Sequence, residues 1–342
     1  MKELYLVTGA TGNLGRVVVG KLLEKGKQVR CLVLPGEESQ CPSGVTLFTG
    51  DVRDRESLRP AFLVGPEEAL TVIHCAGVIS IASHNSKQLW EVNVGGTRNI
   101  TDLCVEYGVT KLVYVSSVHA LPEHPAGEDI SESQEFSAER VVGEYAKSKA
   151  EATAYVLRAA QKGLNASVVH PSGIIGPYDA GHGNFTAMMI AYCNGTLPAG
   201  VRGGYDFVDV RDVADGILAC CEKGKRGECY ILSGRYLSVE DVFNYLHRAA
   251  GGRRIRLYLP RWVARAVAPL YEKYCLWKKK PLYFTPYSIY TLGTNASFSH
   301  EKATRELGYL PRRMQETFTD TVRWLRENGF ILPRRKKKKA GA

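Results

Sequence analysis

A chain of 342 residues that is 44% hydrophobic and 23% charged has ordinary globular composition, and it is too long for one small core. The formal charge of +10 first suggests a nucleic-acid or membrane binder, but Arg334, Arg335, Lys336, Lys337, Lys338 and Lys339 supply six of it, leaving a body of about +4 and no signal for specific nucleic-acid recognition. Nine cysteines, odd in number and never spaced Cys-x-x-Cys, argue against a metal site and for buried thiols in a reducing, cytoplasmic setting.

In chain order, Leu4 to Val7 is an apolar run of strand length, with neither a secretory signal before it nor any apolar stretch of about 18 residues elsewhere. It stops at Thr8-Gly9-Ala10-Thr11-Gly12-Asn13-Leu14-Gly15, before the amphipathic stretch Arg16 to Lys25. Strand, glycine turn and helix in that order make a dinucleotide site: Gly9, Gly12 and Gly15 allow a tight turn, close approach of a pyrophosphate and close helix packing. The second strand, Gln28 to Leu34, ends at Val33-Leu34-Pro35-Gly36 with neither an acid for a ribose hydroxyl nor an arginine for a 2′-phosphate. Preference between NAD and NADP stays open, with Arg16 and Arg30 as candidate phosphate partners.

After the strand Val45 to Phe48, Asp51 and Val52 are placed to meet an adenine edge, while Asp51 equally suits the N-cap of a helix over Glu56 to Phe62. A fourth strand, Leu70 to His74, ends in Cys75-Ala76-Gly77, small residues that let a cofactor lie close; His74 reads as a hydrogen-bonded core histidine. A long helix from about Asn85 to Tyr107 carries Asn93. Asparagine is unfavourable inside a helix, so Asn93 either serves a kinked backbone or holds a water for proton relay. The fifth strand, Leu112 to Val115, delivers Ser116 and Ser117 to the sheet end where such folds bind ligands.

Beyond a loop from Leu121 to Arg140, one helical turn sets Tyr145 and Lys149 four residues apart on one face, with Cβ atoms roughly 6 Å apart. Bringing a tyrosine from about 10 to about 7 takes about 4 kcal/mol, and a lysine ammonium beside an oxidised nicotinamide has the right sign to supply it. A sixth strand, Ala166 to His170, leads into Pro171-Ser172-Gly173-Ile174, a turn placed to cover the nicotinamide. The regular alternation predicts an α/β fold, a Rossmann-type doubly wound parallel sheet.

TGATGNLG, GDVRD, HCAG, NVGGT, YVSS, YAKSK, HPSGIIGP and FVDVRDVA stand in one order along nearly the whole chain. In that set the chain resembles the extended short-chain dehydrogenase/reductase family. The resemblance implies a Rossmann domain over 1–175 with return segments at about 205–235. It also implies a smaller C-terminal α/β substrate subdomain over most of 176–330, and a disordered basic tail over 331–342. By position it makes Tyr145 the general acid/base, Lys149 its ribose-binding partner, Ser117 the hydrogen-bond donor to the substrate oxygen (with Ser116 the rival) and Asn93 the support of the relay. Cofactor contacts fall on Thr8, Gly9, Thr11, Gly12, Asn13, Leu14, Gly15, Asp51, Val52, Ala76, Gly77, Tyr145, Lys149, Pro171 and Ile174.

Dehydratases of that family resemble one another in placing Thr-Asp-Glu where this chain has Ser117-Val118-His119, so the carboxylates for water elimination are missing. The apolar, aromatic and basic stretch from Leu257 to Lys280 resembles the 3β-hydroxysteroid dehydrogenase and dihydroflavonol reductase branch. It reads either as a core helix or as a helix at a membrane surface, where the basic tail would add attraction. The expectation is an NAD(P)-dependent oxidoreductase interconverting a secondary alcohol and a ketone on a small hydrophobic, ring-containing substrate such as a 3β-hydroxysteroid. A nucleotide-sugar 4-epimerase is the alternative, and a non-catalytic redox sensor comes third. The resemblance also implies a homodimer through the helices near 85–107 and 145–161.

Overall fold

Short apolar runs buried on both faces cannot alternate polar and apolar residues, and the strands of this chain do not: Leu4 to Thr8 and Lys111 to Val115 are buried without interruption. The structure is a computed structural model that describes residues 1–79, 86–125, 127–181, 183–251, 254–278 and 285–332. The first half runs β1 (Lys2–Thr8), α1 (Asn13–Glu24), β2 (Gln28–Val33), β3 (Thr46–Thr49), α2 (Arg55–Phe62), β4 (Glu68–His74), α3 (Ser86–Trp90), α4 (Thr97–Glu106), β5 (Lys111–Val115), α5 (Glu144–Gln161) and β6 (Ala166–Pro171). It continues with β7 (Gly173–Ile175), α6 (Asn184–Cys193), β8 (Gly200–Val201), β9 (Gly204–Asp209), α7 (Val210–Lys223), β10 (Cys229–Leu232), β11 (Arg235–Ser238) and α8 (Val239–Ala250). The last elements are β12 (Tyr258–Leu259), α9 (Arg261–Lys278), α10 (Pro286–Thr291), α11 (Glu301–Leu307) and α12 (Met314–Glu327).

Seven parallel strands form the main sheet in the order β3-β2-β1-β4-β5-β6-β10. The order reverses between β1 and β4, which opens a crevice at their C-terminal ends. Val18, Leu22 and Ile217 of α1 and α7 cover one face, and Phe62, Leu103 and Val156 of α2, α4 and α5 cover the other. This is the doubly wound α/β sheet that the alternation predicted.

A second core joins Tyr192 of α6, Phe243 and Leu246 of α8, and Phe318 and Leu325 of α12. Its small sheet runs β11-β9-β7. The chain leaves this core with α7 and β10 to complete the main sheet, and α11 also returns, burying Ala303 and Leu307 against α7.

Three local expectations change. The helix expected from Asn85 to Tyr107 is interrupted: Glu91–Gly96 is a π-helical segment between α3 and α4, and Asn85 lies outside the described residues. Gly95 and Gly96, weak helix formers, let the extra residue of the wider turn be accommodated. The N-cap of α2 is Asp54, whose carboxylate accepts from the Glu56 amide at 3.1 Å, so Asp51 does not cap it. Finally, α9, read as either a core or a surface helix, has both characters: Ala264, Ala268 and Cys275 are buried, and Trp262, Leu270 and Trp277 are exposed.

Candidate active site

The glycine turn is built by what it excludes. A Cβ on Gly15 would lie 2.0 Å from the Gly9 carbonyl oxygen, and one on Gly9, whose φ is +65°, would lie 2.8 Å from the Ala76 backbone. Helix α1 therefore starts directly over the end of β1, with Gly12 as an N-cap that offers no side chain. Its first amides face the turn, where a helix N-terminus favours an anion. Asn13 Oδ1 is buried there without a hydrogen-bond partner, and Leu14 packs against the first core. The cradle and the unpartnered amide oxygen fit a dinucleotide pyrophosphate.

At the adenosine end the Thr11 hydroxyl donates to Glu37 Oε2 at 2.7 Å. Glu37 lies beyond the strand end read in the sequence, and the chain folds it back to the glycine turn. Arg30 is not a phosphate partner, because its guanidinium donates to the carbonyls of Ala61 (2.8 Å) and Leu63 (2.6 Å) and so holds the C-terminus of α2. Asp51 takes a bidentate grip from Arg53, with 2.6 Å between Nη2 and Oδ2, which holds its carboxyl below the usual range. The Val52 carbonyl accepts from Asn99 Nδ2 at 2.8 Å.

A hydrogen-bonded chain crosses the sheet end from this turn to α5. The Thr8 hydroxyl meets His74 Nδ1 at 2.7 Å, and His74 Nε2 meets the Thr97 hydroxyl at 3.1 Å. Thr97 gives its own proton to the Asn93 carbonyl at 2.6 Å, so Nε2 of His74 donates and Nδ1 accepts. Burial pushes His74 down to about 3, which keeps it neutral. The Asn93 side chain accepts from the Val78 amide (2.8 Å) and donates to the Val78 carbonyl (3.0 Å) and to Ser148 Oγ (3.0 Å). Ser148 in turn donates to the Tyr145 carbonyl at 2.8 Å. The two side-chain protons of Asn93 are thus engaged, one by the Val78 backbone and one by the Ser148 hydroxyl.

Ser116 and Ser117 point apart, as adjacent strand residues do. Ser116 Oγ lies 2.7 Å from Thr153 Oγ1, while the Ser117 hydroxyl hydrogen-bonds the Tyr145 phenol. Ser117 is held twice more: its Oγ accepts from the His119 amide at 3.2 Å, and its carbonyl accepts from His170 Nδ1 at 3.0 Å. Tyr145 is only 9% exposed, and burial raises its phenol to about 12 against the opposing Ser117 hydrogen bond. The expected depression by Lys149 is absent in this structure. The Lys149 ammonium donates instead to the Val115 carbonyl at 2.8 Å and lies 5.0 Å from the centre of the Tyr114 ring, and burial pulls it down to about 8. It borders Gly77, where a Cβ would sit 3.3 Å from Nζ. Pro171 ends β6, and Ile174 pairs with Val208 beside it.

One further group is assembled by long-range pairing that no motif or spacing announces. His119 lies between two phenols from distant parts of the chain, 3.0 Å from Tyr205 Oη through Nε2 and 3.3 Å from Tyr287 Oη through Nδ1. Its ring is 5.9 Å from the Tyr145 ring, edge to face, and burial pushes it down to about 4. With Leu121, Glu123, Ile130 and Phe298, the rings of His119, Tyr205 and Tyr287 line a small cavity of about 40 Å³ that Ala146, the neighbour of Tyr145, also borders.

A glycine cradle at the switch point of a doubly wound sheet, with a serine, a tyrosine and a lysine converging at the ends of β5 and α5, defines a dinucleotide-dependent enzyme acting at a carbon–oxygen bond. The chain belongs to the NAD dependent epimerase/dehydratase family, whose profile matches residues 5–233. Within it, the chain falls in the extended short-chain dehydrogenase/reductase branch and is an NAD(P)-dependent dehydrogenase/reductase of CH–OH groups. It is 32% identical to sterol demethylase protein B of Methylococcus capsulatus over 95% of this chain and 99% of that one. It is 30% identical to human 3 beta-hydroxysteroid dehydrogenase type 7, over 95% and 96% of the two chains. Among solved structures it matches that of gox2253 with a TM-score of 0.83 and 32% identity, covering 96% of this chain and 99% of that chain.

Replacing Gly15 with alanine forces the turn open. Dinucleotide affinity, read by quenching of protein fluorescence, is expected to fall at least roughly tenfold, since 1.4 kcal/mol of lost contact suffices. An unchanged affinity in a folded variant would show that the turn is not the pyrophosphate cradle.

Proposed function

We propose that this enzyme interconverts a secondary alcohol and a ketone on a hydrophobic, ring-containing molecule such as a 3β-hydroxysteroid. The observation that carries the proposal is the buried Tyr145 phenol, with the Ser117 hydroxyl near it and the aromatic group of His119, Tyr205 and Tyr287 beside it. The names of the sterol demethylase protein and of the 3 beta-hydroxysteroid dehydrogenase point the same way.

Gly9, Gly12, Asn13 and Gly15 would hold the pyrophosphate, Lys149 the nicotinamide ribose, and Asp51 with the Val52 backbone the adenine. Bound there, the dinucleotide supplies or accepts the hydride. Ser117 donates to the substrate oxygen, and Tyr145, held protonated by burial, gives that oxygen its proton in the reducing direction. In the oxidising direction the same phenol must first lose its proton, which burial opposes and a nearby cation assists. Asn93 acts by holding Val78 and Ser148. The C-terminal core supplies the substrate walls through Tyr205 and Tyr287, and the outer faces of α4 and α5 would meet a second copy in a homodimer.

With an oxidised dinucleotide and dehydroepiandrosterone as probe, Tyr145→Phe should lower kcat by roughly 10²–10⁴ and leave dinucleotide affinity within about threefold. Retained turnover would remove Tyr145 from the chemistry. Conversion of UDP-glucose without added cofactor, with the steroid untouched, would replace this function by the epimerase. Glu37 further favours NAD, because a carboxylate at the ribose repels a 2′-phosphate. Wild type is expected to bind NAD at least tenfold more tightly than NADP, and Glu37→Gln to narrow that gap by roughly tenfold. Equal affinities in wild type would contradict this role.

A further inference from the structure

Helix α9 has two unlike sides. Ala264, Ala268 and Cys275 are buried, the first two against Val201 and Ile289. On the other side Trp262 is 75% exposed, Leu270 70%, Trp277 75%, Val267 45% and Tyr274 44%. At roughly 100° per residue these five fall on one arc of about 140°, opposite the buried face. No other helix among the described residues exposes more than one large apolar side chain. Lys273 falls within the stripe and Lys278 at its edge, the exposed Arg261 and Arg265 lie outside it, and the only carboxylate of the helix, Glu272, is buried.

A water-facing helix with this composition is out of place in a soluble surface, where large exposed apolar patches mark a docking site. A second copy of the chain would bring Lys273 and Lys278 against their own counterparts, and protein interfaces deplete lysine from their centres. An anionic lipid surface complements both components: cations meet head groups, tryptophans and leucine enter the head-group boundary, and the helix lies flat. Among the described residues no helix is long and apolar enough to cross a membrane. The sequence carries six further cations at 334–339, outside the described residues.

We propose that the Trp262–Leu270–Trp277 stripe of α9 docks this enzyme on the surface of an anionic bilayer. The inner face of α9 packs on Ile289 of α10, and α10 also carries Tyr287, hydrogen-bonded to His119 beside Tyr145. Docking would bring α10, and with it the Tyr287 side of the site, near the lipid surface, where a lipid-dissolved alcohol is available. That delivery role rests on the proposed function, whereas docking itself does not.

The experiment is co-sedimentation of the full chain with vesicles of phosphatidylglycerol and phosphatidylcholine, or of phosphatidylcholine alone, without substrate or cofactor. Wild type should partition at least tenfold more strongly onto the anionic vesicles. Combined Trp262→Ser, Leu270→Ser and Trp277→Ser should lower that partition at least tenfold with an unchanged thermal unfolding midpoint. Equal sedimentation of wild type and the triple variant overturns the proposal, as does binding lost only when 334–339 is neutralised. A wild-type dimer that the triple variant converts to monomer, without vesicle binding, assigns the stripe to a second copy and overturns it as well. Dehydroepiandrosterone turnover by vesicle-free enzyme is read separately, so failure of docking and failure of the proposed chemistry are told apart.

Discussion

The site depends on a phenol kept out of water. Tyr145 is buried near Ser117 and beside His119, and burial, against an opposing pull from Ser117, raises its pKa to about 12. A proton donor that strong in its hold cannot act as a base at neutral pH unless positive charge is brought close. Lys149 does not provide that charge at the hydroxyl, since its ammonium is engaged by the Val115 carbonyl. The protein therefore leaves the phenol protonated and makes its ionisation conditional on what occupies the crevice.

Geometry around that phenol is fixed by backbone-holding side chains rather than by the catalytic groups themselves. Thr8, His74, Thr97, Asn93 and Ser148 link the glycine turn to the Tyr145 carbonyl through hydrogen bonds of 2.6–3.1 Å. The π segment places Asn93 in this chain by rotating the α3–α4 register, a use of such segments common at functional sites. His170 and the amide of His119 hold Ser117 from the other side. The glycine turn and the backbone that carries Tyr145 are thus joined by one hydrogen-bonded chain.

Most of the main sheet and the glycine turn were legible in the sequence because local rules specify them: apolar runs of strand length, and glycines where any Cβ would strike backbone. The converging Ser117, Tyr145 and Lys149 were legible through the order of motifs. What was not legible came from long-range pairing. Tyr205 and Tyr287 are 86 and 168 residues from the histidine they bind, and no spacing rule announces them. Glu37 escaped notice because a loop, not the strand, returns it to Thr11. The pairing of Tyr145 with Lys149 on one helix face predicted a lowered phenol, but the ammonium turns to the Val115 carbonyl and burial sets the direction of the phenol.

The central claim is that burial holds the phenol and positive charge from the oxidised dinucleotide releases it. Its most direct test is titration of Tyr145 by the phenolate absorbance difference between wild type and Tyr145→Phe, for the chain alone, with NAD⁺ and with NADH. The account predicts ionisation near 12 for the chain alone, a fall of roughly 1–3 pH units with NAD⁺, and little change with NADH. The same midpoint in all three states, or one already near neutrality in the chain alone, would contradict it.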